Sequence, residues 1–118
     1  MTPGELWAWL VPGYVLTVAI EVPILLAGLD ARHGWRRRVA AGLWLTAVTY
    51  PVVVVALPLL LWPRAPYLVY LAVAESFAIA AECALFARVF GGTGRDLWVV
   101  GAANVASAAA GLVWFGMP

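Results

Sequence analysis

The stretch from Tyr67 to Phe90, YLVYLAVAESFAIAAECALFARVF, is an apolar run long enough to cross a bilayer as a helix, and it contains two carboxylates, Glu75 and Glu82. They are seven positions apart, close to two helical turns, so they share one face at a separation of about 10 Å along the axis. A carboxylate alone in hydrocarbon is costly and requires a partner, a proton or water. We therefore expect the other apolar segments to pack around this face.

The composition of the chain is that of a membrane protein. Of its 118 residues, 65% are hydrophobic and 11% are charged, whereas about 25% are charged in a typical soluble domain. A chain of this length supports one domain, and we predict a single transmembrane domain over residues 1–118. The only cysteine, Cys83, cannot form an intrachain disulfide.

Four segments are long and apolar enough to span about 30 Å of hydrocarbon. The predicted spans cover about residues 6–29, 38–62, 66–90 and 95–115. Together they predict an all-α, integral membrane four-helix bundle that is antiparallel and has a polar, carboxylate-containing interior.

The ends of these spans have recognisable capping residues. Thr2 with Glu5, and Thr93 with Asp96, are spaced as capping boxes before the first and fourth spans. Gly91 and the glycine after it predict a left-handed C-cap after the third span. The two prolines within residues 62–66 predict a tight turn between the second and third spans.

The arginines predict the orientation in the membrane. Four of the seven basic residues lie in the segment 30–38 and two more flank the loop between the third and fourth spans, whereas only Arg64 lies at the opposite end. By the positive-inside rule, we expect the Arg-rich loop 30–38 in the cytoplasm and both termini outside, in the cell membrane. Tyr67 and Tyr70 fall at the predicted outer boundary, where tyrosines commonly form an interfacial belt.

Each span also presents one polar face near mid-depth. The candidate binding residues on the other three spans are Tyr14, Thr17 and Glu21 in the first, Thr46, Thr49 and Tyr50 in the second, and Asn104 and Ser107, between Gly101 and Gly111, in the fourth. Hydrocarbon excludes all of them, so we expect the four faces to turn inward, with Asn104 and Ser107 opposite Glu75 and Glu82. Three close carboxylates without a basic neighbour cannot all be ionised, so at least one should be protonated or a cation should lie among them.

Several of these residues have simpler interpretations. Asn104 and Ser107 are also typical of helix packing, and Thr46 and Thr49 of hydroxyls that bond their own backbone beside the Pro51 kink. Cys83 is typical of a small buried apolar side chain. His33, the only histidine, lies in the loop that sets topology.

The segment Tyr14 to Gly28, YVLTVAIEVPILLAG, resembles the first helix of the small multidrug-resistance exporters, most closely at Ala19-Ile20-Glu21-Val22. The resemblance covers about fifteen residues; that family also has about four helices and one membrane glutamate. Carboxylates that alternate between a proton and a cation couple the two ligands, so the three glutamates favour a transporter that exchanges a cation or cationic compound for protons, and the resemblance implies the same function. The third span departs from the family pattern, because it contains Glu75 and Glu82 where the family has an aromatic and glycine-rich signature.

Two other functions fit the same residues. In a membrane-embedded enzyme, Glu21, Glu75 and Glu82 would bind a divalent cation, Mg, Ca or Mn rather than zinc, or activate a water; the sequence has no H-E-x-x-H motif and no nucleophile elbow. In a non-catalytic subunit or assembly factor, the polar faces would serve packing in a larger complex. The expected partners are the lipid bilayer and a second copy or another membrane chain; no nucleic acid is expected.

Overall fold

The computed structural model describes residues 2–61, 64 and 66–115, without the side chains of Leu6, Trp9, Trp114 and Phe115. Its four long helices are α1 Pro3–Gly28, α2 Trp35–Leu61, α3 Tyr67–Val89 and α4 Gly94–Phe115. All four are long and apolar enough to cross a membrane, and no strand occurs in the described part of the chain. The predictions of an all-helical fold and of four helices long and apolar enough to span a membrane are confirmed.

The capping predictions at three helix ends are confirmed. Thr2 and Glu5 form the capping box of α1, and Thr93 and Asp96 exchange the corresponding bonds at the start of α4, at 3.4 and 3.1 Å. Gly91 follows α3 with φ of 71°, and its N–H donates to the Phe86 carbonyl oxygen. The predicted turn at 62–66 lies largely outside the described residues.

Helix α2 begins earlier than predicted, at Trp35 instead of residue 38. Arg36, Arg37 and Arg38 therefore lie in its first turn and not in the preceding loop. Arginine is a good helix former, and its long side chain carries the charge away from the apolar surface while the stem packs along the helix. Gly34, in extended conformation, is the N-cap.

Helix α2 changes register near its middle. Its segments are Trp35–Pro51, a π-helical turn Val52–Ala56, and Leu57–Leu61. In the π turn the Leu57 N–H donates to the Val52 carbonyl oxygen. The next bond in that register would require an N–H from Pro58, which proline lacks. The Tyr70 hydroxyl of α3 donates to the Val53 carbonyl oxygen instead, at 2.7 Å, so a side chain repairs the interruption.

The four helices pack in a ring. Helix α1 contacts α2 and α4, and α3 contacts the same two helices, so α1 and α3 are diagonal to each other. Apolar residues fill the half of the interior nearest the loops α1–α2 and α3–α4. This apolar core consists of Leu25, Leu29, Ala41, Leu45, Phe86, Val100 and Ala103. The other half of the interior contains buried polar side chains among apolar ones, and the candidate site lies there.

Candidate functional site

A cavity of about 170 Å³ lies at mid-length in the bundle, bordered by side chains from all four helices. Its polar lining consists of Thr17 and Glu21 from α1, Thr46, Thr49 and Tyr50 from α2, Tyr67, Tyr70, Glu75 and Glu82 from α3, and Asn104 and Ser107 from α4. Of the predicted site residues, the structure places all except Tyr14 around this cavity. The carboxylates come from the diagonal helices α1 and α3, and the hydroxyls and amide nearest to them come from α2 and α4.

Glu82 is held by two of the neighbouring helices. Its side chain is buried, at 2% exposure, and its Oε2 atom lies 2.8 Å from the Thr49 hydroxyl of α2. The Asn104 amide of α4 is also within hydrogen-bonding reach of Glu82, while it donates to the Val100 carbonyl oxygen of its own helix at 3.0 Å. Glu82 therefore ties α3 to both of its neighbours.

Glu21 makes an equivalent contact on the other diagonal helix. It too is 2% exposed, and its Oε2 atom lies 2.8 Å from the Ser107 hydroxyl of α4. Ser107 was expected opposite the glutamates of α3, and it pairs with α1 instead. The reason is the ring arrangement, in which α4 lies between α1 and α3. Asn104 is on the side of α4 toward α3, and Ser107, about one turn later, is on the side toward α1.

Two oxygen atoms at the cavity are buried without a hydrogen-bond partner. They are Oε1 of Glu75 and Oγ1 of Thr46. Thr46 is 1% exposed, and Glu75 is half-buried. A buried polar atom without a partner costs free energy, so these two atoms indicate a place where water or a ligand completes the site.

The remaining candidate residues are distributed along α1 and α2. The Tyr50 hydroxyl packs against Gly13, where an added Cβ would be 1.8 Å from its oxygen. Thr17 lines the cavity beside it. Tyr14 is not among the lining residues; its hydroxyl donates to the Leu43 carbonyl oxygen, at 2.9 Å, so it links α1 to α2.

The charges around the cavity are all acidic. Three carboxyl groups line it, and no arginine, lysine or histidine is among its lining residues. The arginines of the α1–α2 and α3–α4 loops lie beyond the apolar core. In a low-dielectric interior, the mutual repulsion of ionised carboxylates is weakly screened, so ionised glutamates at this cavity would repel one another.

Glu21, Glu75 and Glu82, the possible ligands of a divalent cation, are not grouped as one ligand set. In the described part of the chain, no three side chains of His, Cys, Asp or Glu are close enough to hold one metal ion. Glu21, Glu75 and Glu82 surround one cavity but do not converge on one point. A cation among them would retain water in its coordination shell.

A second polar cluster, which was not predicted, closes the opposite end of the bundle. Asp96, at 0% exposure, accepts hydrogen bonds from the backbone N–H groups of Asp30, at 2.7 Å, and Thr93, at 3.1 Å. Its Oδ2 lies 3.2 Å from His33 Nε2 and 3.8 Å from the Arg32 guanidinium. We call Asp96, His33, Asp30, Arg32 and Thr93 the Asp96 cluster.

Arginine side chains reinforce the same end. Arg38 donates to the carbonyl oxygens of Leu26, Asp30 and His33, where α1 ends and its last carbonyls need donors. Arg37 donates to the Phe90 carbonyl oxygen at 2.7 Å. Arg37 thereby bonds the start of α2 to the end of α3, and Arg38 holds the loop between α1 and α2 against its own helix ends.

Sequence reasoning missed two sets of residues. His33 and Asp96 were interpreted as a topology signal and a helix cap, and Tyr70 as part of an aromatic belt. The presence of Pro58 seven residues after Pro51 was the available signal for Tyr70, because two prolines in one span leave carbonyls that need outside donors. Nothing local indicates that His33 reaches Asp96, which is 63 residues away.

The fold and the cavity define a class of protein: an all-helical bundle whose four long helices are apolar enough to cross a membrane, with glutamates buried among them. No family model, curated protein or solved structure matches the chain. The site itself is therefore the basis for a function.

Proposed function

We propose that this chain is a proton-coupled transporter of a small cation in the cell membrane, with Glu21, Glu75 and Glu82 as its shared proton and cation site. The observation that supports this best is a cavity inside a membrane bundle with three carboxyl groups and no basic side chain in its lining. Such groups cannot all be ionised without a counter-charge. Protons and a cation therefore compete for the same carboxylates, and this competition couples their movements.

The size of the cavity favours a small cation over a drug-sized one. Sites for drug-sized ligands occupy roughly 300–1,000 Å³, whereas this cavity has about 170 Å³. At about 30 Å³ per water, that volume holds roughly five or six water molecules. A monovalent ion with part of its hydration shell, or a small protonated amine, fits this space.

The two halves of the interior suggest how access is arranged. The cavity lining includes Gly13, Tyr67 and Gly111, which lie toward the helix ends opposite the α1–α2 and α3–α4 loops. The apolar core and the Asp96 cluster close the loop side. With the arginine loops in the cytoplasm and both termini outside, the cavity faces outward, and transport requires the loop side to open.

Cation-driven proton movement in liposomes tests the proposal. The purified chain is reconstituted with a pH-sensitive dye in the lumen, and Na⁺, K⁺ or methylammonium is added outside. Entry of the cation expels protons, so the lumen should become alkaline. The apparent affinity for the cation should rise with pH, because binding requires deprotonated carboxylates. A bulky organic cation such as tetraphenylphosphonium should give no response.

Carboxamide variants identify the groups responsible. Glu21→Gln, Glu75→Gln and Glu82→Gln should each abolish the response. Glu5→Gln is the matched control, since Glu5 is an exposed carboxylate in the capping box of α1 and should respond like the wild type. Wild-type vesicles no more responsive than empty liposomes to any small cation would refute transport and favour a subunit of a larger membrane complex. The same preparation shows whether the chain purifies as a dimer.

A further inference from the structure

Two hydroxyl groups at the cavity each contact two hydrogen-bond acceptors. Thr49 Oγ1 lies 2.8 Å from Glu82 Oε2 and 3.0 Å from the Leu45 carbonyl oxygen. Ser107 Oγ lies 2.8 Å from Glu21 Oε2 and 3.0 Å from the Asn104 carbonyl oxygen. The same arrangement of carboxyl, hydroxyl and backbone carbonyl therefore occurs twice. In one, the carboxyl group is on α3 and the hydroxyl on α2; in the other, the carboxyl group is on α1 and the hydroxyl on α4.

A hydroxyl group has one proton to donate and two lone pairs with which it can accept. If Glu82 is ionised, both neighbours of the Thr49 hydroxyl are acceptors, and a single proton cannot serve both. If Glu82 is protonated, its O–H donates to the Thr49 oxygen, and the Thr49 hydroxyl donates onward to Leu45. Both short contacts are then hydrogen bonds, in series.

The hydroxyl also serves the ionised state. When Glu82 loses its proton, rotation about the Cβ–Oγ1 bond turns the Thr49 hydroxyl toward the carboxylate. The Leu45 carbonyl then still has the backbone N–H of its own helix, since the hydroxyl was an additional donor to it. No heavy atom has to move. Ser107 can exchange between Glu21 and the Asn104 carbonyl in the same way.

We infer that Thr49 and Ser107 are positioning residues whose hydroxyls rotate with the protonation of Glu82 and Glu21, so that each carboxyl group keeps a hydrogen bond whether or not it carries its proton. The inference rests on the proposed function in one respect only: the proton carried is the one exchanged for the cation. Glu21, Glu82 and Thr49 are 2%, 2% and 3% exposed, so a lost protein partner could be replaced only by water held in the cavity and not by bulk solvent.

Glu75 differs from the other two glutamates. Its Oε1 atom has no hydrogen-bond partner, and no comparable hydroxyl contact ties it to a neighbouring helix in the described structure. The other titratable side chains at the cavity are Tyr50 on α2 and Tyr67 and Tyr70 on α3. Glu82 and Glu21 are thus the carboxyl groups whose protons are supported by a hydroxyl partner. Glu75 is the carboxyl group that is open to water or a ligand in the cavity.

Infrared spectroscopy of the reconstituted protein tests this inference without a transport assay. The protonated carboxyl group has a C=O band distinct from that of the carboxylate, and its frequency rises when a hydrogen bond is lost. Glu82→Gln and Glu21→Gln should each remove one such band from the neutral-pH spectrum. Thr49→Val should shift the Glu82 band upward, Ser107→Ala should shift the Glu21 band, and Thr49→Ser should restore the wild-type position.

Thr46→Val is the matched control. Thr46 is on the same helix, lines the same cavity and is 1% exposed, but its hydroxyl has no partner. Its replacement should leave both carboxyl bands unshifted. A Thr49→Val variant with an unshifted Glu82 band, or a Thr46→Val variant with the same shift as Thr49→Val, would overturn the inference.

Failure of the two proposals can be told apart. If the bands shift as expected while the vesicles show no cation-driven proton movement, the hydroxyl arrangement stands and transport is wrong. If flux occurs and is lost in Glu82→Gln, but no protonated carboxyl band is present at neutral pH, transport stands and the hydroxyl inference is wrong.

Discussion

Two buried acidic sites at opposite ends of the apolar core differ in how completely they are paired. Asp96 accepts two backbone N–H bonds and faces His33 and Arg32, so both of its oxygens are occupied and its charge is balanced. Around the cavity, three carboxyl groups share two hydroxyls and an amide, and the Glu75 Oε1 atom has no partner. A fully paired carboxylate stabilises a structure, whereas an underpaired group leaves capacity for a ligand.

The location of the arginines also distinguishes the Asp96 cluster from the cavity. They gather at the loops, where their side chains satisfy the carbonyl groups at the ends of α1 and α3. Arginine placed at the cavity would neutralise the glutamates permanently and leave nothing to exchange. If the comparison is right, substitutions at the Asp96 cluster should mainly change stability, and those at the cavity should mainly change function.

Asp96→Asn should have the largest effect on stability. A carboxamide has one acceptor oxygen, and its NH₂ group would face N–H donors that now meet a carboxylate oxygen. Leaving a buried donor without its acceptor costs about 1–3 kcal/mol, and more when the acceptor is charged, so we expect a loss of about 3 kcal/mol in the free energy of unfolding, measured by SDS titration in mixed micelles. His33→Ala should cost less, because the backbone donors to Asp96 remain. An Asp96→Asn variant as stable as the wild type would show that the Asp96 cluster does not stabilise the fold.

The sequence predicts the helices and their polar faces better than it predicts which side chains pair. The four spans follow from run length, and the inward direction of Glu21, Thr49, Glu82 and Asn104 follows from the cost of exposing them to hydrocarbon. These constraints act on each helix alone. Which hydroxyl meets which carboxyl depends on the ring order and the axial register of the helices, so the pairing of Ser107 with Glu21 could not be derived.

The Asp96 cluster was beyond prediction for a related reason. Thr93 and Asp96 are local, and their capping box is visible in the sequence. The bonds from Asp30 and His33 join two loops that are distant in the chain, and they exist only once the helices have packed. The π turn of α2 is partly predictable. Pro51 and Pro58 indicate that the helix is interrupted, but they do not indicate that Tyr70 donates the hydrogen bond there.

Gly13→Ala should have the second largest effect. Its Cβ would lie 1.8 Å from the Tyr50 oxygen and 2.9 Å from Cζ, so the ring must move away from α1. Overpacking of this kind costs about 1–3 kcal/mol. Adding Tyr50→Phe should recover part of the loss, because the closest atom is then absent. Gly111→Ala, where nothing lies within 4 Å of the added Cβ, should be tolerated; equal losses at the two glycines would argue against the packing described.

Tyr70→Phe should cost about 1 kcal/mol, because the Val53 carbonyl oxygen loses its donor next to the π turn. Tyr14→Phe is the comparison variant: its hydroxyl also donates to a carbonyl oxygen of α2, Leu43, but at an exposed position, where the loss should be smaller. Unfolding of the two variants in the same SDS titration ranks them, and the opposite order would place the more important interhelical bond outside the cavity.

Glu82→Gln should have the smallest effect on stability, and it makes the same chemical change as Asp96→Asn. The amide oxygen of glutamine can accept from the Thr49 hydroxyl, so the contact between α2 and α3 persists in a neutral form. No basic side chain is among the described residues that line the cavity, so the change breaks no ion pair, and we expect a loss of less than about 1 kcal/mol, the size of one hydrogen bond. The response to cations should nevertheless be lost, since glutamine cannot exchange a proton. A loss of stability as large as that of Asp96→Asn would mean that the glutamates of the cavity hold the bundle together, as the Asp96 cluster does, and that their incomplete pairing is not a sign of function.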